Sequence, residues 1–157
     1  MEELLFFITG LLVGAVMAVM ILKNIVPKLM VLENKSKYGF DETLQQMQSA
    51  VDSLGWKTPH VHNLQATMTK FNYDVNKVTV MEVCKPDIAH MILSRDKERM
   101  VSALMPCRIS IYEKSDGQVY VSRLNSLKMG GLFSGIIKQA MNEAGEESEH
   151  IVQSVVQ

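Results

Sequence analysis

Residues 4–22 run without a single charge, a stretch that as a helix would be about 28 Å long and match the hydrocarbon core of a bilayer. The pattern predicts one membrane-spanning helix there. A cleaved signal fits poorly, because Glu2 and Glu3 stand where a positive segment is wanted and Ile21-Leu22-Lys23 ends the run without a small-x-small site. Pro27 is read as closing the helix. Residues 23–37 then form a linker in which Leu29, Met30, Val31 and Leu32 offer a first strand.

Beyond the linker the periods change to those of an amphipathic domain, placed at residues 38–142. Phe40, Leu44, Met47, Val51 and Leu54 recur at helical spacing, with Asp41 as cap and Gly55 as terminator. Residues 56–62 suit an extended segment that Pro59 confines to an edge, and residues 63–71 a short helix. Residues 77–84, KVTVMEVC, read as a strand, and Pro86 opens a helix whose apolar face is Ile88, Ala89, Ile92 and Leu93. Residues 107–113 and 119–123 alternate around the turn Ser115-Asp116-Gly117, which predicts a β-hairpin. Met129, Leu132, Phe133, Ile136, Ile137, Ala140 and Met141 predict one helix covering the sheet. Residues 143–157 are set apart as an acidic helical tail, interrupted by Gly145 and ending in Ile151, Val152, Val155 and Val156.

The chain has 157 residues, 47% hydrophobic and 21% charged, enough for one domain and too apolar for disorder. Sixteen basic against 17 acidic residues give a net charge of −1, without the basic excess that nucleic-acid binding requires. Lys23, Lys28, Lys35 and Lys37 follow the span and no Lys or Arg precedes it. The positive-inside rule then puts the soluble domain in the cytoplasm, anchored to an inner or plasma membrane. Gly10, Gly14 and Ala18 form a small-residue stripe on which two spans could approach closely, although Gly and Ala are common in any membrane helix.

The stretch from residue 55 to 125, with GWKTPHVHNLQ, EVCKPDIAHMIL and LMPCRISIYEKSDGQVYVSRLN, resembles the domain of unknown function numbered 302, in the form with an N-terminal membrane anchor. The phrases CKP and MPCR followed by an Asp-Gly turn are specific in combination. The resemblance implies an α+β fold of the TATA-binding-protein type, β-α-β(4)-α, with an antiparallel sheet and helices on one face. It also implies a homodimer, and it carries no settled activity and no DNA binding. The helix at Pro86 is an insertion between two strands of that order.

Cys84 and Cys107 are the sharpest chemical feature. Cys84 precedes a helix start, which favours a thiolate, and antiparallel neighbouring strands would bring Cys107 beside it. The alternatives are packing as small apolar groups, or a static disulfide, which would require the opposite membrane orientation. His60 and His62, two apart on an extended segment, suit a transition metal or haem iron, with Met105 and Met100 as soft donors; surface histidines and core methionines are the plainer readings. His90 sits at the edge of an apolar helix face, and His150 lies in the tail. No nucleophile elbow, P-loop, dinucleotide fingerprint or zinc-protease motif occurs. The sequence therefore points to a membrane-anchored, homodimeric binding domain for a small ligand, metal or haem. Its rivals are a thiol redox or sulfur-carrier protein, with Cys84 the nucleophile and Cys107 the resolving thiol, and a structural scaffold at the membrane.

Overall fold

A computed structural model describes residues 2–157. Helix α1 (Glu2–Met30) leads straight into β1 (Val31–Lys35), followed by α2 (Phe40–Ser53), β2 (Lys57–Asn63), α3 (Leu64–Thr69), β3 (Val78–Cys84) and α4 (Pro86–Leu93). A 3-10 helix (Glu98–Leu104) precedes β4 (Cys107–Glu113) and β5 (Val119–Leu124), and α5 (Ser126–Gly130) and α6 (Gly135–Gln153) complete the chain. The strands form one antiparallel sheet in the order β1-β5-β4-β3-β2. This is the α+β class expected.

Side-chain alternation decides which face of the sheet is covered. Thr79, Met81 and Val83 of β3 are buried, as are Ile109 and Ile111 of β4 and Val119, Val121 and Arg123 of β5. Their alternates are only partly covered. Met47 and Val51 of α2, Ile88 and Ile92 of α4, and Ile151 and Val152 of α6 close over the buried set to form one core. As Pro59 requires, β2 is an edge strand, and its register with β3 shifts between Lys57 and His60.

Four expectations need correction. Helix α1 passes through Pro27 and ends only at Met30, so no linker separates it from the sheet. Losing one internal hydrogen bond does not stop a helix whose next residues keep helical geometry. The cap of α2 is Gly39, not Asp41, and Thr43 Oγ1 donates to the Gly39 carbonyl at 2.7 Å.

The single helix expected over residues 129–141 is two. A break at residues 131–134 separates α5 from α6, which starts at Gly135 with φ +59°. Glycine adopts that left-handed conformation without strain, while the apolar period runs on across the break and hides it. Nor is residue 143 a boundary, because α6 continues through it and Ile151, Val152 and Val155 are fully buried. Lys37 N donates to the Val155 carbonyl at 2.9 Å and Gln157 N to the Lys35 carbonyl at 3.0 Å, tying the tail to the end of β1. Gly145 is a packing position. A Cβ there would stand 2.8 Å from Leu127 Cγ, so its absence lets α5 lie on α6.

Within Phe6–Met30 the most apolar stretch of 18 residues has a mean hydropathy of 2.3, and none of it is buried. This helix is no part of the domain core, and it is long and apolar enough to cross a membrane.

Candidate functional site

At the end of the sheet where β3 stops and β4 starts, α4, α6 and the 3-10 helix leave a cavity of about 80 Å³. Trp56, Cys84, Ile88, Met105, Cys107 and Ala144 are among its walls. A second space of about 190 Å³ is also lined by residues 104–107, and by Arg123, Leu124, Met129 and Met141. Met105 and Cys107 border both.

Local structure explains how these side chains arrive. Gly55, at φ +74°, turns the chain out of α2 and delivers Trp56 to the core, where it is 1% exposed. Its indole N–H donates to Glu147 Oε2 at 2.7 Å, and Lys85, the residue capping α4, donates to the other carboxylate oxygen at 2.7 Å. One carboxylate of α6 thus satisfies the indole and the ammonium together. Burial raises the affinity of Glu147 for its proton, but the bonds from Lys85 and Trp56 outweigh it and hold its pKa below the ordinary value.

The two thiols are free, and the register pairs Cys107 with Val83 and Cys84 with Lys57, so they are not directly opposite. Lys85 stands between Cys84 and the start of α4 as the capping residue, and burial pushes the Cys84 thiol up, opposite to the acidification expected from the helix start. Burial also raises Cys107, and proximity to Cys84 adds to it. Both line the cavity, where burial disfavours the thiolate, and the one ammonium on that wall, Lys85, is paired with Glu147.

The other candidates lie elsewhere. His60 and His62 stand on the edge strand with ring centroids 4.3 Å apart, and His62 Nε2 is 3.1 Å from Glu82 Oε1. That bond, first among several influences, holds the Glu82 carboxyl below its ordinary value. His90 is exposed on α4. Among the described residues no group of three or more His, Cys, Asp or Glu side chains is placed to hold a metal ion. The soft donors Cys107 and Met105 belong to the cavity, and none of the four histidines lines it. The donor set expected for a metal or haem iron is thus dispersed, and the residues do not fit such a group.

Two polar clusters escaped sequence reasoning. Arg123 lies 8% exposed on the covered face, where Nε donates to Glu149 Oε1 at 2.8 Å and Nη1 to Asn34 Oδ1 at 2.7 Å. Its place in the Val119–Val121–Arg123 alternation was the available signal. On the open face, Tyr112 and Lys114 both donate to Glu33, and Lys114 Nζ lies 3.7 Å from the centre of the Tyr120 ring. Burial, then the bond to Glu33, pushes the Tyr112 phenol up to about 12.

Comparison with known proteins follows the fold. The family model described as domain of unknown function DUF302 matches residues 32–155, beginning just past α1. The crystal structure of an uncharacterized conserved protein DUF302 from Bacillus stearothermophilus is similar at a TM-score of 0.72 and 14% identity, over 80% of this chain and 98% of that one. No curated protein matches.

Proposed function

The chain belongs to the DUF302 family, and from that premise we propose that it is a membrane-tethered binding domain whose cavity beside Met105 and Cys107 receives a small, largely apolar ligand. The observation that carries the reading is the cavity wall itself. Val83, Ile88, Ile92, Val101, Ala140 and Ala144 line it, while the nearest charges, Lys85 and Glu147, neutralise each other. Such a wall offers dispersion and desolvation, and it lacks an unpaired charge to hold an ion.

Size limits the ligand. A dry cavity of about 150 Å³ accepts benzene, and the space beside Trp56 is about 80 Å³. Met105 borders this space and the larger one of about 190 Å³, and methionine changes rotamer at little cost. A ligand of benzene size enters by displacing the Met105 side chain toward the second space.

The anchor fits the same reading. Lys23, Lys28, Lys35 and Lys37 follow the span, which supports a cytoplasmic domain, and free thiols suit that reducing compartment. Two copies associate along the small-residue stripe Gly10, Gly14 and Ala18, which allows close approach of two spans.

Trp56 is the only tryptophan and lines the cavity, so its emission reports occupancy directly. Bromobenzene, whose heavy atom quenches indole on contact, should quench it saturably. Ala144→Leu, which fills the space, should abolish the saturable phase, with Ala140→Val as a milder version should the first fold poorly. Linear quenching of equal slope in all three proteins contradicts the reading.

A further inference from the structure

We infer that the end of β5, α5 and the turn after it form a second membrane-contacting surface, in which Leu124 and Leu132 enter the headgroup layer beside the end of α1. The inference rests on the reading that α1 spans the bilayer. It adds that the soluble domain itself touches lipid, with its orientation fixed.

The first support is the absence of slack. Helix α1 ends at Met30 and β1 begins at Val31. Asn125 N donates to the Met30 carbonyl at 2.8 Å, and Val31 pairs with Leu124 in the sheet. Helix α5 rests against α1. Wherever Met30 leaves the membrane, the end of β5 and the start of α5 stand at the same level.

The level follows from length. The 29 residues of α1 make a rod of about 43 Å, against roughly 30 Å of hydrocarbon and 40–45 Å with both headgroup layers. If Glu2 stands at one polar edge, Met30 reaches the headgroup layer on the other side, and a tilt of about 20° keeps it there.

The chemistry of the surface agrees. Leu124 is 46% exposed and pairs with the exposed Val31 that follows α1, and Leu132 is 75% exposed. Single exposed apolar residues need no explanation, whereas a set gathered at one end of a domain does. From residue 125 to 142 the only charged residues are Lys128 and Lys138, which complements anionic headgroups. The opposite end of β4 and β5 carries Glu113, Lys114 and Asp116 and no comparable leucines. Contact of Leu127 with the bare Gly145 position seats α5 on α6, which fixes where the chain on either side of α5 meets the membrane.

The test uses the full chain in vesicles of phosphatidylcholine with a quarter phosphatidylglycerol. Single replacements Leu132→Trp, Val16→Trp and Asp116→Trp are compared with the unmodified chain, whose only emission is that of Trp56. Headgroup-attached nitroxide lipid should quench Leu132→Trp well beyond the unmodified chain and leave Asp116→Trp indistinguishable from it. Nitroxide deep in the acyl chains should quench Val16→Trp. Quenching of Val16→Trp without excess quenching of Leu132→Trp overturns the second contact and spares the anchor. An unquenched Val16→Trp overturns the anchor reading itself.

Discussion

The two faces of the sheet use similar polar residues to opposite ends. On the covered face Cys107 is pushed toward its neutral form by burial, and Arg123 is tolerated only because Glu149 and Asn34 receive its donors. On the open face Tyr112 and Lys114 donate to Glu33, and His62 and Arg108 pair with Glu82, in mixed contact with water. Burial is what separates them. It disfavours the thiolate and, by the same removal of water, favours apolar matter in the adjoining cavity.

Neighbouring residues of β4 give the sharpest way to break this contrast. Ile111 is fully buried and Tyr112 points to the open face, so Ile111→Ala should cost about 2–5 kcal/mol and Tyr112→Ala clearly less. Urea denaturation measures both, and equal losses would mean that the open face is packed against something as large as the core. Next in size, Arg123→Ala should cost roughly 2–3 kcal/mol, because it leaves Glu149 half-desolvated and short of its donors. Arg123→Met in combination with Glu149→Leu should recover part of that loss.

Smaller again is the acid limb set by Glu147. Its carboxyl is held below the ordinary range in the fold, so its contribution is complete above that range and is lost as the pH falls through the lowered value. Glu147→Gln should therefore lower stability near neutrality and flatten the stability profile below about pH 4.5. An unchanged acid limb would mean that Lys85 and Trp56 do not bind that carboxylate in solution. Smallest is His62→Ala on the open edge, expected within about 0.5 kcal/mol of the unmodified chain. The thiols sharpen the same contrast kinetically. Both should alkylate slowly until the domain unfolds, and rapid labelling of Cys84 in the native protein at neutral pH would restore the redox reading.

What could be read from the sequence was what is local. The hairpin of β4 and β5 follows from period-2 alternation around an Asp-Gly turn, and the junction of β3 with α4 from a β-branched run meeting Pro86. The α+β class follows from these together with the family resemblance. The break before Gly135 was hidden because the apolar spacing of Met129 to Met141 carries through it. The tail could not be placed, since its partners, Lys35 and Lys37, lie more than a hundred residues away. The site suffered from the same distance. Trp56 and Glu147 are 91 residues apart and Lys85 and Glu147 62, and no spacing rule links them. His60 and His62 were visible as a pair because they are close in sequence, yet the register sets Arg108 with Glu82 beside them, and among the described residues no three donor side chains are placed to hold a metal ion.

The most direct measurement follows the isotope-labelled methionine methyl signals as xenon pressure rises over the full chain in detergent. Met105 and Met141 line both spaces, and their signals should shift saturably and with a common midpoint. Met100, 78% exposed, should show only the small linear drift of a solvent-facing methyl. Linear drift of all three alike would contradict an accessible apolar cavity, and with it the proposal that this domain binds a small ligand there.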